Sequence, residues 1–474
     1  MKYDYDVLVI GMGPAGMAVA AMAAEMGLSV CAVEKHRLGG ECMNVGCIPS
    51  KALLATAKMR NVFSGLTKMG FDAADPPAVK NPFVRIQKDL NYINDQKTVK
   101  MFEKVDLHLD EGEACFIDDH TVSVGEKTLS ADKIFICTGT KPAVPPVEGM
   151  EGIDILTNDN VFSLEEIPES MIILGGGAIG CELAQAFTRL GCKTSIVHMD
   201  PLLIPAGGGD KESSDLLEKV FVEEGIAVYN ARKIEKVEQV DDLIALYTDR
   251  GETLLGKRLM VAAGRRIDLT GLKLENAGVA FTKKGITVNK FLQTSREHIY
   301  AAGDCNGYAL FSHAAMHQGM IALINAIAPR FFRRDFRKYV IPWTVFTEPQ
   351  ISHVGKLESQ LDKEGVSYEV IHARYEDYGA AIAEGVDTGF VKAFVGRTGK
   401  ILGVRIAGEG SGEMINEWGL AIQKRLRITD ILFLQHSFPT MAFLNKRIAE
   451  TWAMNRMKSP LLRRIIGLLL RERL

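Results

Sequence analysis

The chain has 474 residues, enough for two to four domains with ample core. With 47% hydrophobic and 24% charged residues and a formal net charge of −3, its composition is that of an ordinary globular protein, and the lack of an overall basic field speaks against nucleic-acid binding. Eight cysteines are too sparse for a secreted disulfide scaffold, and no apolar run reaches the roughly 18–20 residues of a bilayer span.

The chain enters its first predicted strand at residues 6–10 without a basic leader, apolar segment and cleavage site, which predicts a cytoplasmic protein. Residues 5–35 read as strand, glycine turn, helix and strand, with Gly11-Met12-Gly13-Pro14-Ala15-Gly16 at the turn. Gly11 permits the turn, Gly13 lets backbone approach a pyrophosphate, and Gly16 lets helix and strand pack closely. Glu34, at the end of the second strand, would hold a ribose hydroxyl.

Directly behind this unit comes Leu38-Gly39-Gly40-Glu41-Cys42-Met43-Asn44-Val45-Gly46-Cys47-Ile48-Pro49-Ser50-Lys51. In a regular helix, residues five apart point about 140° away from each other, whereas a disulfide needs Cα atoms within roughly 7 Å. The segment must therefore bend, and Gly39, Gly40, Gly46 and Pro49 supply the means. A loop this short stabilises little when closed, so two thiols beside a nucleotide site suggest redox chemistry. Five other cysteines sit singly in apolar or helical contexts and read as buried, inert thiols.

Residues 84–104 predict a helix, and 106–137 short alternating strands ending at Cys137-Thr138-Gly139-Thr140. Pro142, Pro145 and Pro146 mark a handover between domains. A second fingerprint follows at 171–200, with Gly175, Gly177 and Gly180 at its turn and His198-Met199-Asp200 at its end. Two fingerprints imply two dinucleotides, a flavin-type one beside the cysteines and a nicotinamide one in the second unit. No arginine lies near His198 in sequence, which leans the donor toward NADH over NADPH. Residues 226–263 again predict strands and turns, closing at Gly264-Arg265. The buried strand ending at Ala302-Gly303-Asp304 delivers one carboxylate to the crevice side of a doubly wound sheet, as a flavin-ribityl contact would require. After a helix at 313–328 comes a loop with Arg330, Arg333, Arg334, Arg337 and Lys338 interleaved with phenylalanines, read as a solvated connection. Residues 343–438 alternate strands and helices without a fingerprint, which suggests a packing or association domain.

Taken together, the paired fingerprints, Gly39-Gly40-x-Cys42-x4-Cys47-x3-Lys51, Thr138-Gly139, Gly264-Arg265-Arg266, Ala302-Gly303-Asp304 and Thr347-x-Pro349-x5-Gly355 resemble the class I pyridine nucleotide-disulfide oxidoreductases. Dihydrolipoamide dehydrogenase, glutathione reductase and mercuric reductase belong to that family. The resemblance runs from about residue 4 to about residue 455. It implies an α/β fold of two doubly wound Rossmann-like dinucleotide-binding domains, for FAD and NAD(P), plus a C-terminal α+β dimerisation domain, assembled as a homodimer. The boundaries expected are 1–147 for the FAD domain, 148–275 for the NAD(P) domain, 276–340 for a central segment, 341–457 for the interface domain and 458–474 for an extension.

By the same resemblance, Gly11, Gly13, Gly16, Glu34, Gly40, Lys51, Thr138, Gly139 and Asp304 would bind FAD, and Gly175, Gly177, Gly180, His198 and Gly264 the nicotinamide cofactor. Electrons would pass from NAD(P)H through flavin to a Cys42–Cys47 disulfide, with Cys47 the thiolate against flavin, Cys42 the outer thiol, and Lys51 with Glu182 beside them. No resident metal site is assigned. Relatives that reduce lipoamide or glutathione carry a His-Pro-Thr followed by a Glu, whose histidine protonates the outer thiol. Here Phe438 and Phe443 stand at those positions, which argues against lipoamide as the efficient substrate; His436, two residues upstream, reads as structural. Mercuric reductases also place an aromatic there but carry a C-terminal cysteine pair, and this chain has no cysteine after Cys305, which disfavours mercury.

In 458–474, six leucines and isoleucines share one helical face opposite Arg463, Arg464 and Arg471. That face fits either the dimer partner or an anionic membrane surface. The function expected is electron transfer through Cys42–Cys47 to a non-lipoamide acceptor, such as a protein disulfide or a metal ion. The alternatives are a membrane-surface quinone or diaphorase-type reductase with direct flavin transfer, and a flavin-bound interaction module of a membrane complex.

Overall fold

The computed structural model of the chain describes all residues except 1–2, 206–208, 461–463, 465–466 and 468–474, so the expected amphipathic face at 458–474 lies largely outside the described residues. The chain divides into two compact units. The first comprises Met1–Asn61, Pro76–Pro201 and Glu224–Lys338; the second comprises Val62–Asp75, Leu202–Glu223 and Tyr339–Leu474.

Two sheets, each with a parallel core, frame the first unit. Strand β1 (Tyr5–Ile10) runs Val-Leu-Val-Ile over its last four positions, all nearly inaccessible, as expected of a central parallel strand covered on both faces. After helix α1 (Pro14–Glu25), strand β2 (Val30–Glu34) returns parallel to β1. The short helix α2 (Gly40–Asn44) and the longer α3 (Cys47–Asn61) follow. Strand β3 (Asp106–Leu109) forms the sheet edge beside β2, and β4 (Ala114–Phe116), β5 (Thr121–Val124) and β6 (Lys127–Ile136) make a meander. The first half of β6 pairs antiparallel with β5, and its second half runs parallel to β1 and to strand Ile299–Ala301. Helix Ser312–Ile327 lies close against α1 because both are rich in small residues: a Cβ added to Gly319 would sit 2.3 Å from the carbonyl oxygen of Ala15.

The second sheet has the order 227–229, 193–197, 170–174, 258–261, 155–156, all parallel, with helix Ala178–Arg189 crossing over. An antiparallel meander at 234–256 closes its core around Ile172, Val197, Val237, Leu246 and Val261. The predicted helix at 84–104 is broken: α-helix spans Pro82–Tyr92, capped by the Asn81 side chain, and then a wider turn and a 3₁₀ turn carry the chain to Phe102.

In the second unit, a five-stranded antiparallel sheet has the order 343–345, 351–355, 401–407, 390–396, 368–374. Helices Ser411–Gln423 and Phe443–Met457 pack on it around Trp418, Ile415, Ile448 and Val404. Lys392 is also buried within this unit, neutralised by Asp210 at 2.5 Å and Glu212 at 3.0 Å. No helix among the described residues is long and apolar enough to cross a membrane.

Candidate active site

At the C-terminal end of β1 the two roles expected of the glycines separate clearly. A Cβ on Gly16 would meet the carbonyl oxygen of Gly11 at 1.9 Å, and one on Gly11, whose φ is +92°, would meet the carbonyl of Cys137 at 2.7 Å and Cα of Thr138 at 3.1 Å. These are packing glycines. Gly13, by contrast, faces open space, as does Gly139 in the facing turn. Backbone there can approach a phosphate at the N-terminus of α1, so the residues fit the dinucleotide that the fingerprint implies. Glu34 is nearly buried, and its carboxylate accepts hydrogen bonds from the amides of Met12 (2.8 Å) and His36 (3.0 Å), which fixes it at the tip of β2.

The cysteine segment docks on this turn. The Gly39 amide donates to the carbonyl of Met12 at 2.8 Å, and Gly40, with φ of +54°, approaches so closely that a Cβ would lie 2.8 Å from Cα of Gly13. Cys42 lies in α2 and Cys47 opens α3, with Val45 and Gly46 between them outside helix. The break falls at Val45–Gly46, and the expected part of Pro49 in it is not seen. Pro49 is the third residue of α3, within the first turn, where a missing N–H costs no intrahelical bond.

Neither sulfur is in a disulfide, and both residues are half-buried, in unlike surroundings. Cys42 donates a hydrogen bond to Cys47, which lowers the Cys47 thiol to about 6 against the opposing effect of burial; the Ser312 hydroxyl at 3.3 Å and the Lys51 charge add to it. The same hydrogen bond, with burial, raises Cys42. One sulfur is thus set up as thiolate and its neighbour as thiol. Lys51, one turn along α3, is held by Glu182 at 2.8 Å, and Glu182 is itself nearly buried in helix Ala178–Arg189.

A network that sequence reasoning missed ties this segment to the far strands. Arg265 binds the Glu41 carboxylate and donates to both the hydroxyl and the carbonyl of Thr140. Thr140 donates in turn to Asp304 at 3.0 Å, and the Arg265 guanidinium lies 3.8 Å from that carboxylate. Burial pushes both Glu41 and Asp304 above the ordinary carboxylate range, with Arg265 opposing it in each case. Glu41, Thr140 and Arg265 stand inside the quoted motifs, and their adjacency to the glycines and Cys42 was the only signal available.

In the second fingerprint, a Cβ on Gly180 would lie 1.9 Å from the carbonyl oxygen of Gly175, repeating the Gly16 contact, while Gly177 and Gly264 face open space. His198 sits buried at the end of strand Lys193–Val197, with Asp200 3.7 Å from its ring. Sequence distance hid one neighbour. The Arg232 amide donates to the carbonyl of His198 at 2.9 Å, so an arginine does stand beside this turn; its guanidinium is engaged by Glu252 at 2.6 Å and by the Asn230 carbonyl.

Within the second unit, Phe438 is 71% exposed and stacks edge-on against Phe443 at 5.3 Å. The His436 ring is held by Glu417 at 3.0 Å, and Glu417 also accepts from Asn445, whose carboxamide oxygen takes the Trp418 indole N–H.

Residues 5–319 match the family model for pyridine nucleotide-disulphide oxidoreductases, and residues 341–447 match the dimerisation domain of the same family. The chain is 32% identical over 452 residues to a mercuric reductase of Staphylococcus aureus, covering 93% of this chain and 81% of that protein. It is 33% identical over 455 residues to a dihydrolipoyl dehydrogenase of Thermus scotoductus, covering 92% and 95%. The solved Cu(II) complex of the HOCl-induced flavoprotein disulfide reductase RclA from Escherichia coli matches with a TM-score of 0.84 at 25% identity, over 95% of this chain and 99% of that one. With both fingerprints, the dithiol segment and the dimerisation domain accounted for, the chain belongs to the pyridine nucleotide-disulphide oxidoreductases.

Proposed function

We propose that this FAD-dependent, NAD(P)H-driven oxidoreductase works as a homodimer and passes electrons through Cys42 and Cys47 to an acceptor other than lipoamide, with a metal ion favoured over a low-molecular disulfide. The observation that carries the reading is the unlike pair of sulfurs: Cys47 held as thiolate by the Cys42 hydrogen bond, Ser312 and Lys51, and Cys42 held as thiol. When bound, FAD supplies the two-electron relay between a nicotinamide and this pair. Gly13, Gly139, Glu34 and Asp304 would seat it, and Gly177, Gly264 and His198 would seat the nicotinamide dinucleotide. Lys51, fixed by Glu182, keeps positive charge near Cys47.

Electron balance favours a metal ion. When the reduced pair closes to a disulfide, it releases two electrons and the single proton on Cys42. A disulfide acceptor ends as two thiolates, one of which needs a proton as it leaves, and a placed general acid is worth about 10²–10⁴-fold there. Phe438 and Phe443 can supply no such proton. A metal ion has no leaving thiolate: one ion takes two electrons, or two ions take one each, and the Cys42 proton passes to solvent water, so no general acid is asked of those positions. The names of two relatives, a mercuric reductase and a flavoprotein solved with Cu(II), support the metal-ion class, while the lack of a cysteine after Cys305 favours an ion other than Hg(II). A protein disulfide that brings its own acid is the second reading.

Anaerobic reduction with NADH and with NADPH separately, followed by steady-state turnover with Hg(II), Cu(II), lipoamide, a quinone and a protein disulfide, tests the reading. The expected outcome is flavin reduction, with NADH the better donor, and turnover with a metal ion exceeding that with lipoamide. Full turnover by Cys42→Ser with every acceptor would leave direct flavin transfer as the mechanism.

A further inference from the structure

At the opposite end of the first sheet from Gly11 and Glu34, three side chains converge that the redox site does not use. Cys31, the second residue of β2, pairs in register with Asp106, the first residue of the edge strand β3, and His108 lies two residues further along β3. Their period places all three on one face. The Cys31 sulfur, a carboxylate oxygen of Asp106 and a ring nitrogen of His108 all lie within 4.8 Å of one another.

His108 is the telling member. It is only 6% exposed, and among the described residues its Nε2 has no hydrogen-bond partner, although Asp106 Oδ2 lies 3.6 Å away. Its other nitrogen, Nδ1, is bound by the Glu111 carboxylate at 2.7 Å, with the Lys127 ammonium 3.3 Å from the same nitrogen. A carboxylate on one imidazole nitrogen and a free, buried second nitrogen is the arrangement by which proteins orient a metal-ligating histidine.

The charges suit a divalent cation. The carboxylates of Asp106, Glu111 and Asp4 all act on Cys31, and Lys127, 2.8 Å from Glu111, is the one opposing cation. Asp4 is engaged by Ser130, and Tyr5 donates to Asp106. For ligands at 2.0–2.3 Å from a tetrahedral centre, donor atoms stand about 3.3–3.8 Å apart. The Asp106–His108 separation already falls within that range.

We propose that Cys31, Asp106 and His108 form a binding site for a divalent zinc-class ion, with Glu111 as the positioning carboxylate behind His108 and the fourth position left to water. Binding exchanges the Cys31 S–H proton for a sulfur–metal bond, so one proton is released and no electron moves. Exposed Asp106, on an edge strand, gives the ion its way in. The site is independent of the acceptor reading, since no residue is shared.

The test uses the FAD-loaded full chain carrying Cys42→Ser and Cys47→Ser, freed of metal by a chelator and then given Zn(II) alone. One ion per chain is expected, with an X-ray absorption fine structure showing one sulfur at about 2.3 Å among nitrogen and oxygen ligands. Competition with a chelator should show Glu111→Gln weakening binding about 10–100-fold, and Cys31→Ser removing the sulfur from the shell. Sub-stoichiometric zinc, a shell without sulfur, or unchanged affinity in Cys31→Ser would overturn the proposal. If Cys31→Ser loses its flavin through misfolding, the absorption spectrum of the parent decides by itself.

Discussion

Cys42 and Cys47 carry the same functional group, and their surroundings alone make them chemically different. Because Cys47 is lowered from 9.0 to about 6, its thiolate exists above that pH and is lost as pH falls through it. In the reduced holoenzyme, the long-wavelength thiolate–flavin absorbance should therefore fall to half near pH 6, and Lys51→Met should move that midpoint upward, as a spectrophotometric titration would show. Arg265 acts on a different property. Arg265→Met leaves Glu41 buried without its cation and should cost about 1–3 kcal/mol in chemical denaturation. That cost should shrink as pH falls toward the raised Glu41 pKa, since the folded state then takes up the proton. A loss that stayed the same at low pH would detach Glu41 from the effect.

The two fingerprint turns are built alike at the level of elements, which allows their cofactors to be separated. In each, the third glycine meets the carbonyl of the first at 1.9 Å, leaving no room for a methyl group. Gly16→Ala should lower flavin content in the purified protein. Gly180→Ala should keep flavin and lose its reduction by NADH, measured anaerobically; equal loss of flavin in both variants would refute separate sites. The stretch around Phe438 offers the converse experiment, adding a function. Phe438→His with Phe443→Glu should raise lipoamide turnover at least about 10-fold, toward the lower range of a placed general acid. No gain would count against the proposal that Phe438 and Phe443 disfavour lipoamide by withholding an acid.

For the whole molecule, the dimerisation-domain match gives meaning to the apolar side chains left uncovered in the second unit, among them Phe433 at 81% exposure. Phe433→Glu should shift sedimentation of the diluted protein from dimer toward monomer. The sequence alone determined the family, both fingerprints and the dithiol segment, because each is carried by local patterns whose spacing follows from one turn or one strand. It could not determine the Arg265–Glu41–Thr140–Asp304 network, Arg232 beside His198, the His436–Glu417 contact or the meeting of Cys31 with His108. Those residues lie between 19 and 263 positions apart. They become neighbours only when strands and helices are packed together, and burial, hydrogen bonding and charge at a site depend on that packing, which no local pattern records.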